Sequence, residues 1–328
     1  MRASRFIYIL IVLICTNSVF AQDAHHSQYF NLPAYYNPAA AGNDVEHIRL
    51  TGMYRKQWPA LSTPFVTQSI LFDKQVSKVG FGALINNNTA GDGGIRRMQL
   101  GGMISYRLQL GDHQLASGVS IGFIQKSFDP SKMTFDDQYQ DDAGYDPANA
   151  TAEQFAFTKV VRPDFSAGLL YSYGDIQKKR WVPYLGASLL HINQPDEVLI
   201  EENNTNYIKT VLQAGTRFSI NDKVEIDPSV MMAMQQFSNE MMFGTKAVYS
   251  FDTRTKAECG IYIRNKESVI AYAGYQWNSL KVGISYDANI SGAVAGPGAF
   301  EISLTYIPKA KIKKDKKPVE NTETPKKK

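Results

Sequence analysis

Cysteine is nearly missing from this 328-residue chain, which has two, Cys15 and Cys259. Two cysteines exclude a disulfide scaffold, and because Cys15 falls in a leader, the mature chain keeps one thiol. Long apolar runs are missing as well. After the leader no stretch reaches the roughly 18 residues of a membrane-spanning helix, since Gly, Ser, Gln or a charge interrupts each candidate. Neither sign of charge dominates, with 35 basic against 31 acidic residues. What is present is apolar material, 44% of residues, of which the aromatics make up 12% of the chain. That excludes a disordered chain. An exported chain of this kind is either soluble or a β-barrel.

The distribution of charge is more informative than its total of +4. Arg2 and Arg5 precede an apolar run from Phe6 to Cys15, and Val19-Phe20-Ala21 closes it with small residues at the two positions a signal peptidase reads. This predicts a secretory signal over 1–21 and a mature start at Gln22. Ile14 stands where lipoprotein processing at Cys15 would want a small residue. The segment 309–328 holds nine Lys against Asp315, Glu320 and Glu323, so residues 22–308 carry 24 basic and 28 acidic groups. The basic character therefore belongs to the two ends. A nucleic-acid-binding fold, which spreads basic residues over a folded face, is excluded.

The repeating signal has period two. Phe165, Ala167, Leu169, Tyr171 and Tyr173 alternate with small or polar residues, as do Leu280, Val282, Ile284 and Tyr286, and then Phe300, Ile302, Leu304 and Tyr306. The same rule places about fourteen strands between 47 and 307. The connections alternate between short ones, such as 111–113 and 278–279, and mostly longer ones, the longest spanning 127–162. The pattern predicts an all-β fold, a transmembrane antiparallel barrel with short periplasmic turns and longer extracellular loops. A soluble sandwich of that many strands would leave edges and a second apolar face unexplained. Arg107, Arg217, Lys246, Glu258, Arg264, Lys281, Asp287 and Glu301 fall on the polar face. Their mixed signs predict a lumen of compensating ion pairs. The division is then 1–21 signal, 22–46 periplasmic or plug segment, 47–308 barrel and 309–328 disordered periplasmic tail.

The segment before the first strand is rich in turn formers and aromatics, and Asn37-Pro38 with Gly42 predicts a tight turn that sets it in the barrel mouth. Gln28-Tyr29, Tyr36-Asn37-Pro38-Ala39 and Ala41-Gly42 are followed by Tyr54-Arg55-Lys56-Gln57-Trp58, Pro64 and Thr67, then Val79-Gly80-Phe81-Gly82 and Tyr106-Arg107. In these residues the chain closely resembles the PorP/SprF family of type IX secretion system membrane proteins, over about 25–307. The resemblance implies a non-enzymatic outer-membrane barrel of the Bacteroidetes lineage that needs no cofactor. Implied partners are outer-membrane lipid, type IX translocon or periplasmic ring and anchor proteins, and a large secreted adhesin of the gliding type. The Lys-rich tail is not part of that pattern. A porin or hydrophobic-solute transporter is the alternative.

Candidate contact residues follow. Tyr36, Asn37, Pro38 and Gly42 set the plug. Tyr54, Arg55, Gln57 and Trp58 form either a docking or plug-holding cluster at the outer rim, or an aromatic girdle with a snorkelling Arg. Phe128, Phe135, Asp136, Asp137 and Tyr139 lie in the long acidic loop, an adhesin-docking or calcium surface on one reading and a solvated loop on the other; its amide positions do not match a helix–loop–helix calcium motif. Lys311, Lys313, Lys314, Lys316 and Lys317 are candidate periplasmic tail contacts, against a solubilising role. His25-His26 lacks the further ligands of a metal site. For a lipid hydrolase, Ser188 and His191 are three residues apart and on an extended strand would lie on opposite faces.

Overall fold

In a computed structural model the protein is described for residues 23–43, 48–59, 63–90, 94–133, 135–140, 144–146, 149, 158–174, 180–198, 205–290 and 298–308. Fourteen antiparallel strands close one barrel. They are β1 (Arg49–Gln57), β2 (Phe65–Val76), β3 (Val79–Ala90), β4 (Ile95–Leu110), β5 (His113–Ser127), β8 (Lys159–Tyr173), β9 (Trp181–Leu190), β10 (Lys209–Ser219), β11 (Val224–Gln235), β12 (Ser238–Ser250), β13 (Thr255–Arg264), β14 (Ser268–Trp277), β15 (Leu280–Asn289) and β16 (Ala299–Tyr306). β6 (Tyr139–Gln140) and β7 (Gly144–Tyr145) make a separate ribbon in the loop after β5. Barrel strands pair with their neighbours along the chain, and β1 closes on β16 with Arg55 opposite Glu301.

The expected strands are present, with ends moved by a few residues. β8 begins earlier than its pattern suggests because Pro163 reads as a break. β9 pairs with β8 only over Ala167–Ser172, so Pro163 sits on an edge where its missing N–H is not needed. Asn193 completes that edge, donating to the Pro163 carbonyl at 2.8 Å and accepting from the Phe165 N–H at 3.1 Å. The two-residue ribbon is too short to show a period.

Alternation sorts the side chains in the sense opposite to a soluble sheet. On β16, Glu301, Ser303 and Thr305 are buried, whereas Phe300, Ile302, Leu304 and Tyr306 are 43%, 38%, 52% and 45% exposed. A belt of exposed apolar groups around a polar interior is the arrangement that lipid selects. Closure gives every strand two partners, so no sheet edge is left in hydrocarbon.

The lumen is occupied by the chain's own N-terminal segment, residues 23–43. It winds through a turn at Tyr29–Asn31, one helical turn at Pro33–Tyr36 and a second tight turn at Pro38–Ala40, where Asn37 caps the Ala39 N–H. Leu32, Ala34, Tyr36 and Ala41 are at most 1% exposed, packed among inward residues such as Leu71, Met231, Met242 and Tyr262. The apolar core thus lies inside the barrel. Asp23 sits beside Gln235 at the rim of long loops, and Gly42 beside Asp73 at the rim of short turns. The segment therefore crosses the lumen from one rim to the other before β1 begins.

Inward glycines make room for it. A side chain at Gly118 would place its first carbon 2.5 Å from the Pro38 carbonyl and the Ala39 nitrogen, and one at Gly80 would overlap the Ala41 carbonyl. Gly118→Val should therefore expel or strain the segment, costing about 1–3 kcal/mol as overpacking does. Gly102→Ala, with nothing nearer than 3.9 Å, should be neutral. Thermal unfolding of the two variants in detergent checks this; equal midpoints would contradict the close fit.

Candidate functional site

Two ionic anchors hold the beginning of the lumenal segment, and a third holds its end. The first lies on the closing seam. Glu301 of β16, fully buried, accepts the backbone N–H groups of Ser27 at 3.0 Å and Gln28 at 2.8 Å. Arg55, opposite it on β1, donates to Ser27 Oγ at 2.5 Å and to Asp287 at 2.9 Å, and lies 3.5 Å from Glu301. Arg264 of β13 approaches the same cluster, donating to Ser27 Oγ at 3.1 Å and to Asp287 at 3.0 Å. Its remaining donors reach Glu240 at 3.0 Å and Glu267 at 3.1 Å. Strand alternation explains why these charges converge: Arg55, Glu240, Arg264, Asp287 and Glu301 are inward positions near the long-loop ends of their strands, and Glu267 lies in the turn between β13 and β14.

The second anchor is on the opposite wall. His191 follows β9 with φ at +57°, which turns its ring into the lumen. Its two nitrogens meet Asp164 at 2.7 Å and Asp23 at 2.8 Å. Arg97 lies 3.1 Å and Lys209 3.7 Å from Asp23, and Arg97 also bonds Glu197 at 3.1 Å. Burial alone would lower the His191 imidazole, but Asp23 and Asp164 together raise it from 6.5 to about 9. At neutral pH it is therefore an imidazolium donating at both ends. Burial would raise Asp23, yet His191, Arg97 and Lys209 hold it well below the usual carboxylate range. At the third anchor the Gly42 N–H donates to Asp73 at 3.1 Å and its carbonyl accepts from Arg107 at 3.3 Å, while Arg49 grips Asp73.

The residues singled out in the sequence are distributed as follows. Tyr36, Asn37, Pro38 and Gly42 all lie in the lumen. The Tyr36 carbonyl accepts from Ser188 Oγ at 2.6 Å, and Asn37 donates to the Leu169 carbonyl at 2.9 Å. The group Tyr54, Arg55, Gln57 and Trp58 is split by alternation. Arg55 points inward and is 1% exposed, so it does not snorkel; Tyr54 is on the lipid face, and Trp58 packs edge-on against Phe65 at the long-loop rim. In the acidic loop Phe128 is buried, Tyr139 is exposed beside Tyr145, and Asp137 is exposed in the turn Asp136–Gln138. Lys311, Lys313, Lys314, Lys316 and Lys317 lie outside the described residues, as do the signal and Gln22.

The expectation that Ser188 and His191 face opposite sides is corrected. The left-handed backbone at His191 brings both inside, but Ser188 is committed to the segment's backbone and His191 to two carboxylates. His25 and His26 diverge, the former meeting Arg55 at 3.3 Å and the latter Ser69 at 2.9 Å. Asp23, Asp164, Arg97 and Lys209 were not anticipated as a group. They are scattered over the sequence, and only barrel closure joins them.

Residues 18–306 match the family described as type IX secretion system membrane protein PorP/SprF. The chain belongs to this family. PorP/SprF proteins are membrane components of a secretion system, and the fold is correspondingly that of a membrane barrel. It is similar to the CymD monoaromatic hydrocarbon channel, with 10% identity, a TM-score of 0.51 and coverage of 84% of this chain and 92% of that one. The toluene transporter TodX of Pseudomonas putida aligns at 10% identity and a TM-score of 0.48, covering 87% of this chain and 94% of that one. At such identity the likeness to CymD shows the fold alone. No functionally curated protein matches the sequence.

Breaking a buried ion pair leaves one charge uncompensated and costs about 3–5 kcal/mol. Arg55→Met and Glu301→Gln should each destabilise the protein on that scale, and the double variant should cost less than the sum of the two. A double-mutant cycle by chemical denaturation tests the coupling, and strict additivity would refute it. At the second anchor the raised His191 stabilises the fold fully below about pH 6.5 and loses that contribution as pH rises through about 9. The depressed Asp23 works at the other end, its contribution being lost on acidification. Thermal midpoints should fall between neutral pH and pH 10, and His191→Gln should flatten that limb; an unchanged alkaline slope would exclude the anchor.

Proposed function

We propose that this PorP/SprF barrel is a non-conducting outer-membrane scaffold of the type IX secretion machinery. The long-loop rim faces the exterior and an exported adhesin, and the short-turn rim with the Lys-rich 309–328 tail faces periplasmic ring or anchor proteins. The observation that carries this reading is the lumenal segment. Tyr36, Leu32 and Gln28 are essentially without solvent exposure, so the axis of the barrel is protein and not a water column. A porin or hydrophobic-solute transporter needs a continuous passage, whereas a scaffold needs a rigid wall and two distinct rims. Burying the segment supplies both. Family membership supports the secretion machine; the Bacteroidetes setting, the adhesin role in gliding and export by a 1–21 signal are further parts of the proposal.

Two experiments test the proposal. Deleting the gene should reduce surface display of type IX cargo, and the tagged protein should recover secretion components. Unchanged surface proteomes with no such co-purification would sink it. In planar bilayers the intact chain should show no steady conductance, and a chain lacking residues 23–43 should show discrete openings. Equal conductance from both would favour the transporter.

A further inference from the structure

Between the lumenal segment and the wall of β8 to β14 lies a cavity of about 610 Å3, lined out to the turn Asn221–Lys223 and so open at the short-turn rim. That volume is within the span of about 300–1,000 Å3 usual for ligand sites. Its inner end is aromatic, with Tyr29 and Phe30 of the segment near Tyr184 of β9. The polar groups at this depth already have partners. Tyr29 donates to Ser229 at 2.7 Å, Lys246 stands 4.9 Å over the Phe30 ring and 3.9 Å from Asp227, and Glu258 takes Lys281 at 3.5 Å and the Tyr272 hydroxyl at 2.8 Å. The floor therefore has few free hydrogen-bonding groups, and its accessible aromatic surface is the half-buried Phe30 and Tyr184, Tyr29 being 4% exposed behind them.

The mouth is different. Arg180, Lys223 and Lys256 line it at the starts of β9, β11 and β13, and none has an ion pair among the described residues. Arg217 adds a fourth cation, against the carboxylates Asp222 and Glu225. Cations at the mouth and aromatic faces at the base lie at opposite ends of the cavity, an arrangement that suits an extended ligand better than a compact anion.

We propose that this cavity is a docking pocket for an acidic peptide segment of a partner protein, entered from the short-turn rim. An apolar side chain of the peptide packs against the half-buried Phe30 and Tyr184, and its carboxylates meet Arg180, Lys223 and Lys256. The partner's location rests on the scaffold reading, while the pocket's chemistry does not. Charge complementarity of this kind sets selectivity and association rate and weakens with salt.

Fluorescence anisotropy with the purified full chain in detergent tests the pocket, using a fluorescein-labelled hexapeptide of alternating Glu and Phe and its Lys–Phe counterpart. The acidic peptide should bind saturably and the basic one should not. Reversing the mouth with R180E, K223E and K256E together should weaken binding about tenfold or more. Ser219→Trp, which fills the cavity without changing charge, should do the same, with thermal midpoints confirming that both variants fold. No saturable binding, equal binding of the two peptides, or indifference to either variant would overturn the proposal. Cargo export plays no part in this readout. A negative result overturns the pocket alone and leaves the scaffold reading standing.

Discussion

The structure depends on a single buried carboxylate. Glu301 lies on the last strand, directly across the closing seam from Arg55 on the first, and it is withdrawn from water altogether. A charge so placed is tolerated only when its oxygens are saturated by donors. Two of those donors are backbone N–H groups of the lumenal segment at Ser27 and Gln28, and Arg55 is the nearby cation. The side chains that compensate the charge at the seam are therefore the ones that hold the plug. Closing the barrel and filling it are therefore energetically coupled, because Arg55 and the segment's N–H groups share the Glu301 charge.

A fourteen-strand barrel has room for such a filling. About eight strands enclose an interior that their own side chains can occupy, and each added strand widens it. The wall carries inward glycines at 80 and 118 where the segment's backbone comes closest, and at 168 where the Asn37 side chain does. Small wall residues combined with a bulky segment place the apolar core on the barrel axis, with Tyr29, Leu32, Tyr35 and Tyr36 in the part that a globular domain gives to a central helix. The segment is short of regular structure because its hydrogen bonds go to the wall. Asn37, Ala41, Gly42 and Ser27 all bond to strand residues.

Much of this was legible before any coordinates. Period-two alternation marks each long strand, and the alternation of short and long connections identifies the two rims. The mixed-sign polar face does become a lumen of ion pairs, among them Arg264 with Asp287 and Lys281 with Glu258. The turn at Asn37-Pro38 lies in the lumen. What escaped the sequence was anything defined by closure or by a single backbone angle. Alternation predicts that Tyr54 and Arg55 part company, yet their adjacency in a motif invites reading them as one cluster. The His191 anchor depends on one left-handed residue at a strand end and on Asp23, Asp164 and Lys209 arriving from three distant segments, for which no local pattern exists.

The path of the segment has a mechanical consequence. Its first described residues are pinned at the long-loop rim by the seam and by His191, and its last at the short-turn rim by Asp73 and Arg107. Between these points it packs against β4, β5 and β8 on one side, while the cavity opens on the other. Pressure from the cavity side, by anything seated on Phe30 and Tyr29, would be transmitted through Pro33–Tyr36 to the His191 and Glu301 anchors, which are close-packed and ionic and so have little compliance. Among the described residues, the segment is the one element inside the barrel that runs from one rim to the other. Any coupling between the two rims through the lumen has its shortest physical route along it.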